Sequence, residues 1–354
     1  MTDLVDEGGT RDGPAVTRAA GSETGWRVKW ATGGLIAGSI KAATGHADWV
    51  RSAATAVVNG RGLAVTGGDD EAVLVWDLAT GERVGAPLPA RDSVWEVATE
   101  FVDGRPVAVI AGPSALVQSW DLADGRPVTS LAGGGCAAAT AVVNGRPVVV
   151  IGRQSVPRLL LWDPAMGETV GDLVSDPSAG RIGAVGAVAT TLVNDHPKAI
   201  TLHDDSTVRA WCLTERQHEG RVAPPTGGNR QRVSLTTAVV GGRLVAVTGS
   251  WDGQVQVWDV AAGTEVTERT PLTGQTGPVW ALATAVVDGS SLVAAGGDDR
   301  RVRVWDMAAH RQVGSDLVFP SEVTALTMTS EGWLVVGFGC DIAVWHRTHA
   351  PAVM

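Results

Sequence analysis

Residues 281–306, ALATAVVDGSSLVAAGGDDRRVRVWD, contain the pattern that decides the fold. Two apolar runs flank Asp288-Gly289, a pair that supplies the positive φ angles of a type I′ hairpin turn. A second turn, at residues 297–299, leads into RVRVWD, whose alternation of apolar and polar residues is typical of a strand with one buried face. The stretch therefore predicts three consecutive antiparallel strands.

The same unit recurs along most of the chain. Its hairpin turn returns at residues 59–60, 103–104, 144–145 and 241–242. After each third strand, a glycine turn and a short segment such as ERVGAPL predict a fourth strand. The tryptophan that ends the third strand recurs at intervals of 40 to 49 residues, and we expect it to be structural: Trp76, Trp120, Trp162, Trp211, Trp258, Trp305 and Trp345.

A four-stranded sheet with apolar residues on both faces cannot bury them alone, so neighbouring sheets must stack around an axis. The seven units predict an all-β chain folded as a seven-bladed β-propeller of four-stranded antiparallel blades over residues 34–348. The last unit lacks an outer strand, and an N-terminal outer strand is expected to pair with this blade and close the ring. We expect GLIAGSI, residues 34–40, to be that strand.

The N-terminal region also contains WRVKWATGG, which adds one strand too many for seven blades. Residues 24–33 are therefore an extra strand-like segment. It either lies on the surface as a displaced copy, which we favour, or competes for the third strand of the last blade. Residues 1–23 lack large apolar side chains and are predicted to be a disordered tail, and residues 349–354 a short C-terminal tail.

The regularly spaced Trp-Asp pairs resemble the WD-repeat family, over roughly residues 34 to 348. The resemblance implies a tetrad of His, Ser or Thr, Asp and Trp inside each blade. Matched by position, blade one carries His46, Asp70 and Trp76 but has Gly68 where the hydroxyl belongs. Most blades depart further, so we expect a degraded tetrad and tryptophans that stabilise mainly by burial.

Composition limits the classes of partner. A formal net charge of −10 opposes the extended basic surface that nucleic-acid binding requires, so no nucleic acid is expected. No apolar run has membrane-spanning length and the start is unlike a signal peptide, which predicts a cytoplasmic protein without a membrane partner. Lysine is rare among the basic residues, a bias that hints at a GC-rich bacterial source. A monomer is expected.

Motifs for catalysis, metal binding or cofactor binding are not found. The histidines fall in separate predicted loops without metal-ligand spacing, and no GxSxG, GxGxxG or Walker-type sequence occurs. The three cysteines are widely spaced and are interpreted as reduced thiols. His203-Asp204-Asp205 is the one local cluster of a base with carboxylates, and we interpret it as the turn before a third strand. No catalytic residue, metal or cofactor is predicted.

The family resemblance also implies a docking rim formed by the loops before the first and third strands. Trp and Arg are the side chains that dominate binding energy at interfaces. Two alternatives stay open: the tryptophans at 95 and 280 pack between blades, and the aspartates serve the turns alone rather than attracting a basic peptide. The predicted partner-binding residues are Trp49, Arg51, Asp69, Trp95, Asp204, Arg232, Trp251, Trp280 and Asp298.

These observations predict a non-catalytic protein–protein interaction scaffold that binds a partner protein or peptide on this rim. One alternative is a propeller enzyme or small-ligand binder that uses the central channel, which a cluster of carboxylates or histidines there would favour. Another is a regulatory sensor propeller that acts in trans with a bacterial signalling module.

Overall fold

The computed structural model describes residues 25–33, 40–41, 44–113, 116–153, 158–174, 184–223, 232–266, 272 and 274–347. These residues form strands and turns, and no helix is present among them. Both predicted tails, residues 1–23 and 349–354, lie outside the described residues. Residues 34–39, most of the predicted closing strand, lie outside them as well.

The strands form seven sheets, and the first strands of neighbouring sheets contact each other around a ring that closes between the last sheet and the first. The predicted seven-bladed propeller is confirmed. Two strands precede the first blade: β1 (Trp26–Ala31) and β2 (Ile40–Lys41). Blades one to three contain β3 (Val50–Val58), β4 (Arg61–Gly68), β5 (Ala72–Asp77), β6 (Leu88–Pro89), β7 (Glu96–Val102), β8 (Arg105–Ala111), β9 (Leu116–Asp121), β10 (Pro127–Ala132), β11 (Ala137–Val143), β12 (Arg146–Gly152), β13 (Arg158–Trp162) and β14 (Thr169–Val174).

Blades four to six continue the same order, and two short strands follow β25 in blade six. Blade seven takes its outer strands from the N-terminal region. The remaining strands are β15 (Val185–Val193), β16 (His196–His203), β17 (Val208–Cys212), β18 (Gln217–Ala223), β19 (Arg232–Val240), β20 (Arg243–Ser250), β21 (Val255–Asp259), β22 (Thr264–Glu265), β23 (Ala281–Val287), β24 (Ser290–Gly296), β25 (Arg301–Asp306), β26 (Arg311–Gln312), β27 (Leu317–Val318), β28 (Val323–Met328), β29 (Trp333–Phe338) and β30 (Asp341–Arg347).

An N-terminal strand closes the ring, as predicted, but a different segment does so. Strand β1 pairs antiparallel with β30, and β2 adds to β1 in parallel as a fifth strand of blade seven. The expectation that residues 34–40 close the ring, with residues 24–33 displaced on the surface, is therefore wrong. Burial of two tryptophans explains the outcome, because Trp26 and Trp30 are 2% and 0% exposed.

Trp30 joins the last blade to the first. Its Nε1 donates a hydrogen bond to the Leu78 carbonyl at 2.9 Å, and its ring centroid lies 5.9 Å from that of Trp76. Gly81, with a φ of +75°, passes so close that a Cβ there would lie 2.7 Å from the Trp30 ring. A glycine turn after the first Trp-Asp pair thus makes room for the closing strand.

A belt of threonines connects the first strands of neighbouring blades around the central channel. In five consecutive blades the threonine four residues before the hairpin turn donates its hydroxyl to the main-chain carbonyl of the equivalent threonine in the preceding blade. These bonds satisfy polar groups that face the channel and tie each blade to the next. They run from Thr99 to Thr55 (2.7 Å), Thr140 to Thr99 (3.1 Å), Thr190 to Thr140 (2.5 Å), Thr237 to Thr190 (3.4 Å) and Thr284 to Thr237 (2.6 Å).

Blade one contains a complete tetrad, contrary to the expectation that its hydroxyl is missing. His46 Nδ1 lies 2.8 Å from Asp70 Oδ1 and its Nε2 lies 2.9 Å from Thr66 Oγ1, which also accepts the Trp76 Nε1 hydrogen bond at 3.0 Å. The hydroxyl comes from the second strand and not from the position of Gly68. Burial lowers the pKa of His46 even though Asp70 opposes this shift, so the ring is neutral at pH 7.

In six of the seven blades, the indole N–H of the third-strand tryptophan is satisfied or not according to one residue of the second strand, which lies two positions beyond the cross-strand partner of the tryptophan. Threonine occupies this position in blades one, four and five, where it accepts the bond from Trp76, Trp211 or Trp258. Ile110, Ile151 and Val336 occupy it in blades two, three and seven. There the indole N–H of Trp120, Trp162 and Trp345 is buried without a hydrogen-bond partner among the described residues.

Candidate functional site

The channel opens at one end into a cavity of about 920 Å³. Each inner strand begins at this end, so the residues just before the first strands line the opening. Seven of the nine predicted partner-binding residues line it: Trp49, Arg51, Trp95, Asp204, Arg232, Trp280 and Asp298. We call this opening, with those residues and the two that adjoin them, the channel mouth.

The other two predicted residues adjoin this cavity through neighbours. Asp69 accepts a hydrogen bond from Arg51 Nε at 2.7 Å. Trp251 packs edge-to-face on Trp280, with ring centroids 5.0 Å apart and an interplanar angle of 78°. Residues that are scattered over blades one, two, four, five and six of the sequence are thus brought together in space.

Three of the four tryptophans at the mouth are exposed. Trp49, Trp95 and Trp251 are 38%, 37% and 45% exposed, and Trp280 is half-buried beside Trp251. Trp95 is therefore more exposed than the interpretation of packing between blades implies. Large aromatic rings left in contact with water around a cavity are a strong indication of a binding surface.

Trp280 is held in place by two neighbours. Its Nε1 donates a hydrogen bond to Asp298, which belongs to the turn before the third strand of blade six. Its ring is flanked by Trp251 from the equivalent turn of blade five. An aromatic ring fixed on both sides loses little side-chain entropy when a partner binds it, which favours tight contact.

The two arginines of the predicted rim differ in accessibility. Arg51 is exposed, pairs with Asp69 and lies 5.9 Å from the Trp49 ring centroid. Arg232 is 3% exposed, stacks 4.7 Å from the Trp258 ring centroid and donates to the Ser206 carbonyl at 2.6 Å. Burial lowers the pKa of Arg232 to about 10. Arg232 supports the wall of the mouth and is not available as an exposed contact.

Carboxylates that the sequence analysis did not select also line the mouth. Glu96 and Glu322 join Asp204 and Asp298 around the cavity. Burial raises the pKa of Glu96 to about 8, although Ser52 Oγ donates to its carboxyl group at 3.3 Å. Glu96 begins the first strand of blade two beside Trp95, and this adjacency could have indicated it, whereas Glu322 directly precedes the first strand of blade seven, in which no residue was predicted to bind. The mouth therefore carries more acidic groups than accessible basic ones.

The residues His203, Asp204 and Asp205 have different surroundings in the structure. His203 ends strand β16 rather than lying in the turn, is 2% exposed, and has its Nε2 2.9 Å from Thr201 Oγ1 inside the blade. Asp205 accepts a hydrogen bond from Thr207, whereas His203 and Asp204 both line the cavity. No three His, Cys, Asp or Glu side chains of the described ranges are grouped so as to hold a metal ion.

A family model for the WD domain, G-beta repeat, matches residues 235–259 and 266–306, which lie in blades five and six. The same strand order and third-strand tryptophan recur in the other blades. The chain is a WD-repeat β-propeller. A comparison of this WD-repeat propeller with curated proteins found no match. Within the part of the chain that is described, no helix has the length and apolarity to cross a membrane.

Glu96 is expected to make the stability of this WD-repeat propeller fall as pH rises from 4.5 to 8. The folded chain retains the carboxyl proton up to a pKa of about 8, whereas the unfolded chain releases it near 4.5. The native state thus binds more protons in this window, so raising the pH disfavours it. In a Glu96→Gln variant the fall should be smaller, and thermal unfolding of both proteins at pH 5 and pH 8 measures the difference. Parallel changes in melting temperature would contradict the assignment.

Proposed function

We propose that this WD-repeat propeller is a non-catalytic scaffold that binds a segment of a partner protein at the channel mouth. The observation that carries the proposal is the set of four tryptophans from blades one, two, five and six around one open cavity. Tryptophan dominates binding energy at protein interfaces because it buries a large area and also offers a directed donor. The predicted cytoplasmic location belongs to the same proposal.

The charge of the mouth favours a basic partner segment. Asp204, Asp298 and Glu322 line the cavity, Glu96 beside them is largely neutral at pH 7 because burial raises its pKa to about 8, and Arg51 is already paired with Asp69. Acidic groups around a recess attract lysine or arginine side chains, and the faces of tryptophan rings interact favourably with the same cations. We therefore propose an extended segment with at least one basic side chain, which enters the cavity while its neighbours contact the exposed rings.

A Trp251→Ala/Trp280→Ala double variant should bind the partner about tenfold to hundredfold more weakly than the wild type, because each ring contributes a buried interface contact. Affinity capture from the native host identifies proteins retained by the wild type and lost by the variant. A peptide from the captured protein, with its lysines and arginines kept or replaced by glutamine, then gives dissociation constants by calorimetry.

The matched control is Phe101→Ala, which removes an aromatic ring that is 53% exposed at the opposite end of the inner strands. This variant should retain the wild-type set of captured proteins. Circular dichroism and thermal unfolding establish that both variants fold. Equal capture by the folded double variant and the wild type would refute the mouth as the docking surface, and equal binding of the glutamine-substituted peptide would refute the basic segment.

A second candidate function is favoured by Glu96. A carboxyl group at the wall of a cavity of about 920 Å³ is suited to a small cationic ligand, and this volume lies in the range of small-molecule sites. Calorimetric titration with L-arginine and with spermidine distinguishes the candidates. Submillimolar binding that Glu96→Gln removes would support the small-ligand function, whereas peptide binding without either probe binding supports the scaffold.

A further inference from the structure

Six exposed apolar side chains form a ring at the end of the channel opposite to the mouth. Each lies two residues before the hairpin turn that joins the first and second strands, in six consecutive blades. Their side chains are 38% to 58% exposed. We call this ring the apolar annulus: Val57, Phe101, Val142, Leu192, Val239 and Val286.

The annulus is separate from the mouth. In blade one the inner strand begins at Val50, beside the mouth, and Val57 lies seven residues further along the strand. At about 3.3 Å per residue, this distance is roughly 23 Å. The threonine belt lies between the two, because each threonine of the belt is two residues before the annulus residue of its blade.

The size of the annulus is unusual for a surface that faces water permanently. Six apolar side chains about half exposed present roughly 500 Å² of apolar surface, comparable to the largest patches on ordinary monomeric proteins, which often serve binding. Exposed valines in isolation are common and need no explanation. Here the same position is apolar and exposed in blade after blade, around one axis.

The charges around the annulus are of both signs, unlike those of the mouth. We compare the charged residues of each hairpin turn together with the residue that follows it. Blades one, three and five carry Arg61, Arg146 and Arg243, and blades four and six carry Asp195 and Asp288. Blade two carries both Asp103 and Arg105. All of these residues are exposed. A surface with interspersed signs can be complementary to a copy of itself, whereas two acidic mouths repel each other.

We propose that two copies of this chain associate through the apolar annulus, face to face and coaxially, about a two-fold axis perpendicular to the channel. Such an isologous contact places the same ring on both sides of the interface. The two annuli and the surrounding turns supply the area, since a standard interface buries about 800 Å² on each partner and is apolar at its centre.

The charges select one register of the two rings. In a two-fold pair of rings, the blades of one copy oppose the blades of the other copy in reverse order. Each register is therefore fixed by the blade that opposes its own copy, and seven blades give seven registers. When blade seven opposes itself, blade one opposes blade six, blade two opposes blade five and blade three opposes blade four. Arg61 then faces Asp288, Asp103 faces Arg243, and Arg146 faces Asp195. Arg61 and Arg243 also pair with Asp77 and Asp259 of their own blades, so the pair of Arg146 with Asp195 contributes most to this choice. In each of the other six registers, at least one turn whose charges are all of one sign faces a turn whose charges are all of that same sign.

Blade seven fits the same register. Its turn carries Glu331, and Arg347 lies beside the turn, where its backbone N–H donates to the Gly332 carbonyl at 2.8 Å. When this blade opposes its own copy, the acidic group of one subunit meets the basic group of the other. Ser330, at the annulus position of this blade, leaves the ring polar at the two-fold axis. The sequence alone led us to expect a monomer, and this surface leads us to propose a dimer instead.

Sedimentation velocity of the full chain over a range of concentrations tests the association. The wild type is expected to shift from monomer to dimer as concentration rises. Leu192→Asp should weaken the dimer at least about tenfold, because a carboxylate is then placed in the apolar centre of the interface. A wild type that stays monomeric up to about 100 μM, or a dimer that the folded Leu192→Asp variant leaves unchanged, would overturn the proposal.

The register has its own test. Arg146→Asp makes residues 146 and 195 both acidic, and Asp195→Arg makes both basic, so each variant alone should be monomeric where the wild type dimerises. Mixed in equal amounts, the two variants should form heterodimers, because every opposed pair is again of opposite sign. A mixture that remained monomeric would overturn this register. Heterodimers would support it, because the two substitutions are in different chains and can compensate for each other only across the interface.

The proposed dimer and the proposed binding at the channel mouth can be refuted separately. The Trp251→Ala/Trp280→Ala variant changes only the mouth and is expected to dimerise like the wild type. The Leu192→Asp variant changes only the annulus and should bind a peptide segment of the captured partner with wild-type affinity. A variant of the mouth that lost dimerisation while remaining folded would contradict the annulus as the contact surface.

Discussion

Replacing Trp30 with alanine is expected to lower the free energy of unfolding by about 3–5 kcal/mol, the cost of deleting a large buried aromatic side chain. Trp30 is fully buried, donates to the Leu78 carbonyl and packs on Trp76 of the first blade. It is the side chain through which the N-terminal strand joins the two ends of the ring. A strand lying displaced on the surface would tolerate the same change.

Chemical denaturation of wild type and Trp30→Ala measures the difference. Trp251→Ala is the matched control, because it removes the same side chain from an exposed turn and should cost less than about 1 kcal/mol. A cost for Trp30→Ala as small as that of the control would contradict β1 as the closing strand.

Thr66→Val should lower the free energy of unfolding by about 2–3 kcal/mol although the side chains have nearly the same shape. The hydroxyl of Thr66 is the shared partner of His46 Nε2 and Trp76 Nε1, and all three residues are buried. Valine leaves both partners without their hydrogen bond, and an unsatisfied buried polar group costs about 1–3 kcal/mol.

Thr248→Val in blade five provides the matched control. Thr248 accepts a hydrogen bond from Trp258 Nε1, and the blade has no histidine in the first position of the tetrad. The cost of this change should be roughly half of that in blade one, since one polar group is stranded rather than two. Equal costs, measured by denaturation of both variants, would contradict the assignment of a complete tetrad to blade one.

The propeller itself could be predicted because its determinants are local and repeated. The hairpin turns specify the same blade five times, and the regularly spaced tryptophans at the ends of third strands specify it seven times. Ring closure could not be predicted with the same success, since two N-terminal segments each carry strand-like patterns. The choice depends on Trp26 and Trp30 fitting between the last blade and the first, a contact between residues more than 300 positions apart in β1 and β30.

The expectation that blade one lacks the hydroxyl of its tetrad was wrong for a similar reason. Matching by distance from Asp70 selected Gly68, but the contact depends on strand register, which places Thr66 opposite Leu74 and within reach of Trp76. Once the register is known, the rule is simple: the residue two beyond the tryptophan's partner must carry a hydroxyl. Ile110 and Ile151 at this position explain why blades two and three leave their indole N–H groups unsatisfied.

The mouth was largely predicted, because the family resemblance assigns its loops to one rim. What the sequence could not show is which side chains remain exposed. Arg232 turns inward onto Trp258, whereas Trp95 remains exposed, and Glu96 enters the cavity from the position next to it. Whether such a side chain is buried or exposed depends on its contacts with neighbouring blades, so the sequence of a single repeat does not determine it.

Binding of a partner segment at the channel mouth can be tested by a hydroxyl-radical footprint of the complex between the wild type and its captured partner. We predict that oxidation of Trp49, Trp95, Trp251 and Trp280 falls in the complex, while oxidation of Phe101 and Leu192 stays unchanged relative to the unbound dimer. Protection confined to residues outside the mouth, with those four tryptophans oxidised as in the unbound protein, would contradict the claim.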